Sequence, residues 1–369
     1  MNSVWYKAGM GQVGKAALLA AVLLLGAVGA QPGSPAAKKF DAAYWRTADY
    51  ARVARDFESP AKVQALGPGG NTVLHYAAAF SRDPRVIRYL VQRGADPDRA
   101  NEKRQTPLMW AAARSTTPAA VQALIESGAR LDLSDDQGRT ALHYAAALSH
   151  TPGVLQVLAY FGADVGVRDQ SGRTPLHAAA ASSADIGVFR ELLRMGARIE
   201  EPDAQGLPPL ATAVIAGNAP GVEVLLKLGA DPMLGDRLDR SALYLAAEAT
   251  REPEVIRVLV RWGLDVNRRT ATGNRPLHIA ARGNPEPAVI EALIDAGARV
   301  NATDPLWKTP LIYAAWKNPN PEVVLTLLRR GADPRQRDAA GMTAYDYLLR
   351  NPRMRGSEAE AALRRASGP

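Results

Sequence analysis

Five histidines are the first residues to question, because imidazole is the side chain best suited to proton transfer and metal binding near neutral pH. Four of them, His75, His143, His177 and His278, occupy the same place in one recurring motif, read as TVLH, TALH, TPLH and RPLH. A position that recurs along a chain serves the architecture rather than one reaction centre, so these four are expected to be structural. Only His150 stands outside the motif. Cysteine is absent, which excludes disulfides, a thiolate nucleophile, thiolate zinc or iron–sulfur ligation and a lipidated cysteine. HExxH, GxSxG and GxxxxGK[ST] patterns are missing as well. The acidic cluster Asp132, Asp135 and Asp136 falls in a turn and lacks the oxygen spacing of an EF-hand, so turn capping is its expected role. Gly9-Met10-Gly11-Gln12-Val13-Gly14 matches GxGxxG, but without the strand and βαβ unit that would give it meaning. No catalytic, cofactor-binding or metal-ligating residue is assigned, and no cofactor is expected.

Composition agrees. The 369 residues are 47% hydrophobic and 22% charged, ordinary for a folded chain, and aromatics supply only 6%. The length exceeds one typical domain and suggests several domains or an array. A formal charge of +8 gives a mild preference for anionic partners. Basic residues are spread along the chain rather than gathered in a stripe, so nucleic acid is not the expected partner. Asn301-Ala302-Thr303 is a glycosylation sequon that matters only in a eukaryotic secretory pathway.

The N-terminus indicates the compartment. Lys7 and Lys15 precede an apolar run from Ala16 to Ala30 of 15 residues, which ends in Val28-Gly29-Ala30. A charged start, a short apolar core and a small-residue cleavage site describe a secretory signal peptide. The run is short of the ~20 residues that span a bilayer. Cleavage after Ala30 is expected, with a periplasmic or secreted product; retention of the segment as a membrane anchor is the alternative.

Stepping along the rest of the chain, one pattern returns. TVLHYAAA from Thr72, TPLMWAAA from Thr106, TALHYAAA from Thr140, TPLHAAAA from Thr174, PPLATAVI from Pro208, SALYLAAE from Ser241, RPLHIAAR from Arg275, TPLIYAAW from Thr309 and TAYDYLL from Thr343 are spaced by 34, except for one step of 33. A glycine series from Gly94 to Gly331 keeps the same register. Within one unit, a Thr-Pro pair caps and starts a first helix. A cap-then-proline pair such as Asp83-Pro84 or Asn320-Pro321 starts a second helix with an apolar stripe. The series glycine supplies a left-handed C-terminal position, and Asp135-Asp136-Gln137-Gly138 makes a turn at the tip of a finger.

Helix, turn, helix, glycine and hairpin-like finger resemble the ankyrin repeat, whose TPLHxAA and GAD motifs are matched over roughly residues 70–350. The resemblance implies an all-α repeat solenoid of helix-turn-helix units with a 34-residue period. The extra residue over the family's usual step falls in the helix–helix turn. The organisation read from this is a signal peptide over 1–30, a linker over 31–37, an N-terminal helical cap over 38–71, the array over 72–341, and a C-terminal capping repeat with a basic tail over 342–369. Caps are required because an internal repeat cannot leave both stacking faces in water. The resemblance also implies that the motif histidines hydrogen-bond neighbouring backbone. Arg104, Asp239 and Trp307 replace finger glycines, and those tips are expected to be distorted or functional.

Such stacks resemble binding modules that use a concave side built from finger tips and the exposed part of the first helix. By motif register that side holds Phe80, Arg114, Leu148, Ile215, Glu248, Arg282, Trp316 and Lys317 from helices, and Arg104, Arg139, Arg173, Arg237, Trp307 and Lys308 from tips. Tryptophan and arginine are common binding hot spots. Trp307 and Trp316 either form one anchor, or Trp307 folds over its finger while Trp316 packs on a neighbouring repeat. Tyr76, Trp110, Tyr144, Tyr313 and Tyr347 read as packing between repeats. The reading is a monomeric, exported ankyrin-type scaffold that binds another protein, resembling bacterial signal-peptide-bearing members that look like accessory or inhibitor and immunity factors of periplasmic proteins. A membrane-tethered scaffold and an enzyme using acidic and basic residues of the concave face are the rival classes.

Overall fold

The computed structural model describes residues 40–149, 151–235 and 240–367. The signal-peptide segment, His150, Arg237 and Asp239 lie outside them. The chain divides into two compact units, the first ending at Gln205 and the second beginning at Gly206.

The first unit opens with three short helices, α1 (Ala42–Thr47), α2 (Tyr50–Asp56) and α3 (Pro60–Val63). Trp45, Val53, Phe57 and Val63 are buried, with Trp45 stacked on Phe57 at 5.4 Å, whereas Tyr50 and Leu66 stay exposed. Four helix pairs follow: α4 (Val73–Phe80) with α5 (Pro84–Gln92), α6 (Pro107–Arg114) with α7 (Pro118–Glu126), α8 (Ala141–Leu148) with α9 (Pro152–Tyr160), and α10 (Pro175–Ser182) with α11 (Ile186–Arg194). The second unit holds α12 (Pro209–Ala216) with α13 (Ala219–Lys227), α14 (Ala242–Ala249) with α15 (Pro253–Arg261), α16 (Pro276–Gly283) with α17 (Pro287–Asp295), α18 (Pro310–Lys317) with α19 (Pro321–Arg329), and α20 (Ala344–Leu348) with α21 (Glu358–Ser367). The fold is an all-α repeat solenoid. Among the described residues there is no named strand, only an isolated bridge between Leu66 and Thr72.

Local chemistry explains each pair. Thr106 has extended backbone and its hydroxyl accepts from the Met109 amide, while Pro107 fills the first helical position, where no N–H is needed. Ala111 and Ala112, which follow, are fully buried; their small side chains let first helices of successive repeats approach closely. The second helix carries a narrower stripe, Val86, Ile87 and Leu90 in α5, all without exposure.

The fingers are tight turns held by one carboxylate or amide. Asp135 Oδ1 accepts from the Gln137 and Arg139 amides at 2.9 and 2.8 Å, and the Asp135 N–H donates to Arg139 O at 3.0 Å. The fourth turn residue is left-handed, for instance Gly138 at φ +79°. Arg104 and Trp307 adopt the same conformation at φ +58° and +60°. Their turns close as the others do, Arg104 N–H donating to Asn101 O at 2.8 Å and Trp307 N–H to Asp304 O at 3.1 Å. The expected distortion at these two tips is therefore absent: the turn keeps its geometry and the side chain bears the strain.

Candidate functional site

The motif histidines are positioned by their own threonines. The Thr72 N–H donates to His75 Nδ1 at 3.1 Å, so Nδ1 accepts and the proton sits on Nε2, which donates to Gln105 O in the next repeat at 2.9 Å. His143 does the same between Thr140 N–H and Arg173 O, and His278 between Arg275 N–H and the carbonyls of Ala302 and Lys308. Burial lowers His75 and His278 to about 4 against the opposing pull of those carbonyls. Neutral imidazoles with both nitrogens engaged are ties between repeats. Among the described residues no group of three or more His, Cys, Asp or Glu side chains is placed to hold a metal ion.

In each unit the first helices and the fingers form one face, called here the inner face. On the first unit a polar network stiffens it. Gln105 Nε2 donates to the Tyr144 hydroxyl at 2.7 Å and Trp110 Nε1 donates to Gln105 Oε1 at 3.2 Å. The Tyr144 hydroxyl donates to Asp135 Oδ2 at 2.7 Å and accepts from Arg139 at 3.0 Å. Burial, and after it the charge of Asp135, raises the Tyr144 pKa against the opposing charge of Arg139. Beside this network a shallow hollow of ≈ 50 Å³ is walled by Trp110, Ala113, Arg114, Tyr144, Leu148 and Ala181. Its walls are mainly apolar, and Gln105, Arg139 and Tyr144 among them are held by hydrogen bonds, so the hollow is formed before any partner arrives.

One end of the face is cationic. Two guanidinium groups approach the Phe80 ring, Arg46 at 5.2 Å and Arg114 at 5.9 Å from its centroid, and Arg114 is also 5.9 Å from the Trp110 ring. Burial, and then the charge of Arg46, lowers the Arg114 pKa. Phe80, Arg114 and Leu148 are half-buried, and Arg104 is exposed at a finger tip.

The second unit arranges its inner face differently. Trp316 lies 6.4 Å from Tyr313 and 5.2 Å from Tyr347 of the following repeat, with the Lys317 ammonium 4.2 Å over its ring. Trp307, in contrast, is 63% exposed at its tip beside Leu306 at 57%. The two tryptophans do not form one anchor: Trp316 packs between repeats, and Trp307 stands in solvent. Lys308 corrects its expected place at the tip. Its residue is 8% exposed, and its Nζ donates to Asp338 Oδ2 at 2.7 Å. Burial would push the Asp338 carboxyl up, but Lys308 and the Tyr347 hydroxyl overcome this and hold it at about 2. Arg139 likewise turns inward to Asp135, its side chain 12% exposed. Glu248 pairs with Arg240 and, at 3.9 Å, with Arg282, and Ile215 is half-buried.

Two features were missed in the sequence. Arg46 belongs to the segment read only as a cap, and no spacing there signals its approach to Phe80. The tyrosine–aspartate ties had a signal, since Asp135 and Tyr144, Asp304 and Tyr313, and Asp338 and Tyr347 share one separation, and each pair is bonded at 2.7–2.8 Å.

A family model described as ankyrin repeats in 3 copies matches residues 74–169, 146–236 and 243–338. The crystal structure of the human ASB11 ankyrin repeat domain is similar to 62% of this chain over 99% of its own length, at 28% identity and a TM-score of 0.49. No curated protein matches the chain.

Proposed function

The chain belongs to the ankyrin-repeat family, and from that premise we propose that it is an exported scaffold that binds another protein without covalent chemistry, as an accessory, inhibitor or immunity factor of a periplasmic protein. The observation that carries the binding reading is the preformed hollow on the inner face of the first unit, whose Gln105–Tyr144–Asp135–Arg139 network holds the walls in place. A surface that is ordered beforehand loses little conformational entropy on docking. Export is supported by the charged start, apolar run and small-residue end of residues 1–30. Among the described residues no helix is long and apolar enough to cross a membrane.

Cross-linking in the native host, followed by purification of the full chain, tests both halves. Wild type is compared with Leu148→Asp, which places an unpaired carboxylate at the hollow, and the N-terminus of the recovered chain is sequenced. A stoichiometric partner lost in Leu148→Asp, on a chain beginning at Gln31, is the expected result. A partner retained by a folded Leu148→Asp chain removes the hollow from the reading. A chain recovered with residues 1–30 attached in the membrane fraction replaces export with tethering. The exposed Leu306–Trp307 tip supports a second docking point on the other unit, and Trp307→Ala in the same experiment weighs it.

A further inference from the structure

The hollow of the first unit lies where a row of rings breaks off. The fifth residue of the motif is aromatic in the first three repeats, Tyr76, Trp110 and Tyr144, and alanine in the fourth, Ala178, which lines the hollow together with Tyr144 and Asp169. Resting on the scaffold reading above, we infer that the partner supplies the missing ring: a tyrosine side chain of the partner protein enters beside Ala178, lies against Tyr144 and donates its hydroxyl to the Asp169 carboxylate.

Among the described residues the chain makes this contact with itself three times. The Tyr144 hydroxyl donates to Asp135 Oδ2 at 2.7 Å, that of Tyr313 to Asp304 Oδ2 at 2.8 Å and that of Tyr347 to Asp338 Oδ2 at 2.7 Å, each across nine residues. Asp169 and Ala178 keep the same separation in the fourth repeat. Asp169 builds its finger as the others do, Oδ1 accepting from the Ser171 and Arg173 amides at 2.8 and 2.9 Å. Its Oδ2 accepts from none of the described residues. Ala178 offers no hydroxyl, and Arg173, the counterpart of the Arg139 that serves Asp135, lies 3.8 Å from Asp203 instead. The fourth repeat therefore has the acceptor of the tie and the space for its ring, and lacks the donor.

Tyrosine answers both halves of that vacancy, because its ring is apolar and its tip is a hydrogen-bond donor. Ala113, Ala147, Ala178 and Ala181 leave room over the helices, and the exposed side of Tyr144 gives the incoming ring an aromatic neighbour. Leucine or phenylalanine would fill the space, displace water from Asp169 and return no hydrogen bond, which costs affinity. A lysine or arginine would pair with the carboxylate but carry its charge along apolar walls beside Arg139 and Arg173. Phosphotyrosine would bring its dianion against the carboxylate.

The test begins within the chain. Ala178→Tyr supplies ring and hydroxyl from inside, and Ala178→Phe supplies the ring alone. The tyrosine variant should have the higher urea midpoint of the two, and the gap should close when Asp169→Asn is added. Asparagine keeps such a finger folded, since Asn101 Oδ1 accepts from the Lys103 and Gln105 amides in the same way. A tyrosine variant no more stable than the phenylalanine one places the carboxylate out of reach and overturns the inference.

The partner's side is tested with a random dodecapeptide library displayed on phage and panned against the full chain, with Ala178→Tyr as counter-selection. Enriched sequences that contain tyrosine and fail to bind Ala178→Tyr are expected. In a synthetic copy, Tyr→Phe should weaken binding about tenfold on the wild type and hardly at all on Asp169→Asn, and phosphorylation of that tyrosine should abolish binding. A Tyr→Phe loss that is the same on Asp169→Asn overturns the inference, as does a library with no enriched peptide. Enriched peptides without tyrosine overturn it too; if they are lost on Leu148→Asp, docking at the hollow stands without it. Binding of p-cresol as tight as that of the peptide makes the occupant a free phenol and overturns the partner's tyrosine. The cross-linking experiment judges the scaffold reading separately.

Discussion

The two units place polar residues at matching positions and satisfy them in opposite ways. At the end of each of its four first helices the first unit has serine, Ser81, Ser115, Ser149 and Ser183, and each hydroxyl bonds within its own turn. Ser115 Oγ donates to Thr117 O at 2.9 Å and accepts from the Thr117 amide at 3.2 Å. The second unit has asparagine at three of the equivalent positions, and each reaches the repeat before it. Asn284 donates to Ala247 O and Thr250 O, Asn318 to Ala281 O and Asn284 O, and Asn351 to Ala315 O and Asn318 O, at 2.8–3.2 Å. In the fingers Arg139 pairs with Asp135 of its own finger, whereas Lys308 pairs with Asp338 of the next, as Arg173 of the first unit does at 3.8 Å with Asp203. One serves the turn and the other serves the stack. In a linear array, stability is a sum of repeat and neighbour terms, and the asparagines of the second unit add neighbour terms at a position where the serines of the first add none.

The largest effect is expected at Lys308. Its partner carboxylate is fully buried, and Lys308→Ala leaves that charge with the Tyr347 hydroxyl and turn amides alone. Breaking a buried pair from one side costs about 3 kcal/mol or more. Arg139→Ala in the first unit, where an equally buried carboxylate keeps its turn amides and Tyr144 and no tie to the next finger is lost, should cost clearly less. Urea midpoints of the two variants decide it, and equal losses would erase the distinction between local and inter-repeat ion pairs.

Next is Asn318→Ala. The side chain is fully buried and makes three hydrogen bonds, including acceptance from the Asn320 amide at 2.9 Å. Two orphaned carbonyls and an orphaned amide cost about 2–4 kcal/mol together, while Ser115→Ala, near the surface and local, costs about 1 kcal/mol. Native-state hydrogen exchange should show the Asn318 variant opening neighbouring repeats together and the Ser115 variant opening only its own turn.

Acid reaches both units through the histidines. His75 and His278 sit at about 4 in the fold against 6.5 when unfolded. Below about pH 6.5 the unfolded chain takes up protons that the folded chain refuses, so stability falls as pH drops, and the fall levels off once pH passes about 4. Each site contributes at most about 3 kcal/mol over that window. Asp338 acts in the same sense over a lower window: its carboxyl, held at about 2 against 3.8, stabilises the fold above 3.8 and loses that contribution as pH falls towards 2. Denaturation followed against pH should therefore show a histidine stage common to both units and, below it, a carboxylate stage to which Asp338 contributes in the second. His75→Gln and His278→Gln each reduce the first stage alone.

The period, the helix pairs and the histidine ties were legible because each is written in a short stretch of chain: a cap, a proline, a stripe of alanines. What escaped was set by neighbours a full repeat away. Lys308 and Arg139 occupy the same register, and only the stacking of fingers shows that the lysine reaches the next aspartate. Trp316 sits at a register position that faces outward in principle, yet Tyr313 and Tyr347 pack against it and leave it half-buried. The candidate docking residues Phe80, Arg114 and Leu148 do share one face, but Arg46, which gives that face its charge, is contributed by a segment with no repeat signature.

The smallest effect separates strain from use at two finger tips. Arg104 and Trp307 hold left-handed backbone at φ +58° and +60°, where a side chain costs ~1–2 kcal/mol that glycine does not incur. Glycine returns part of that through the greater freedom of the unfolded chain, so Arg104→Gly and Trp307→Gly should each stabilise the fold by about 1 kcal/mol or less. Since both side chains are exposed, no buried contact opposes the gain. Strain retained at an exposed position points to a role outside stability, and for Trp307 that role would be contact with a partner. A Trp307→Gly chain that melts higher and binds the cross-linked partner less tightly would assign the strain to recognition. A chain that melts lower would mean that the indole supports its own finger, and the contrast between a charged tip on one unit and an apolar tip on the other would then concern packing rather than binding.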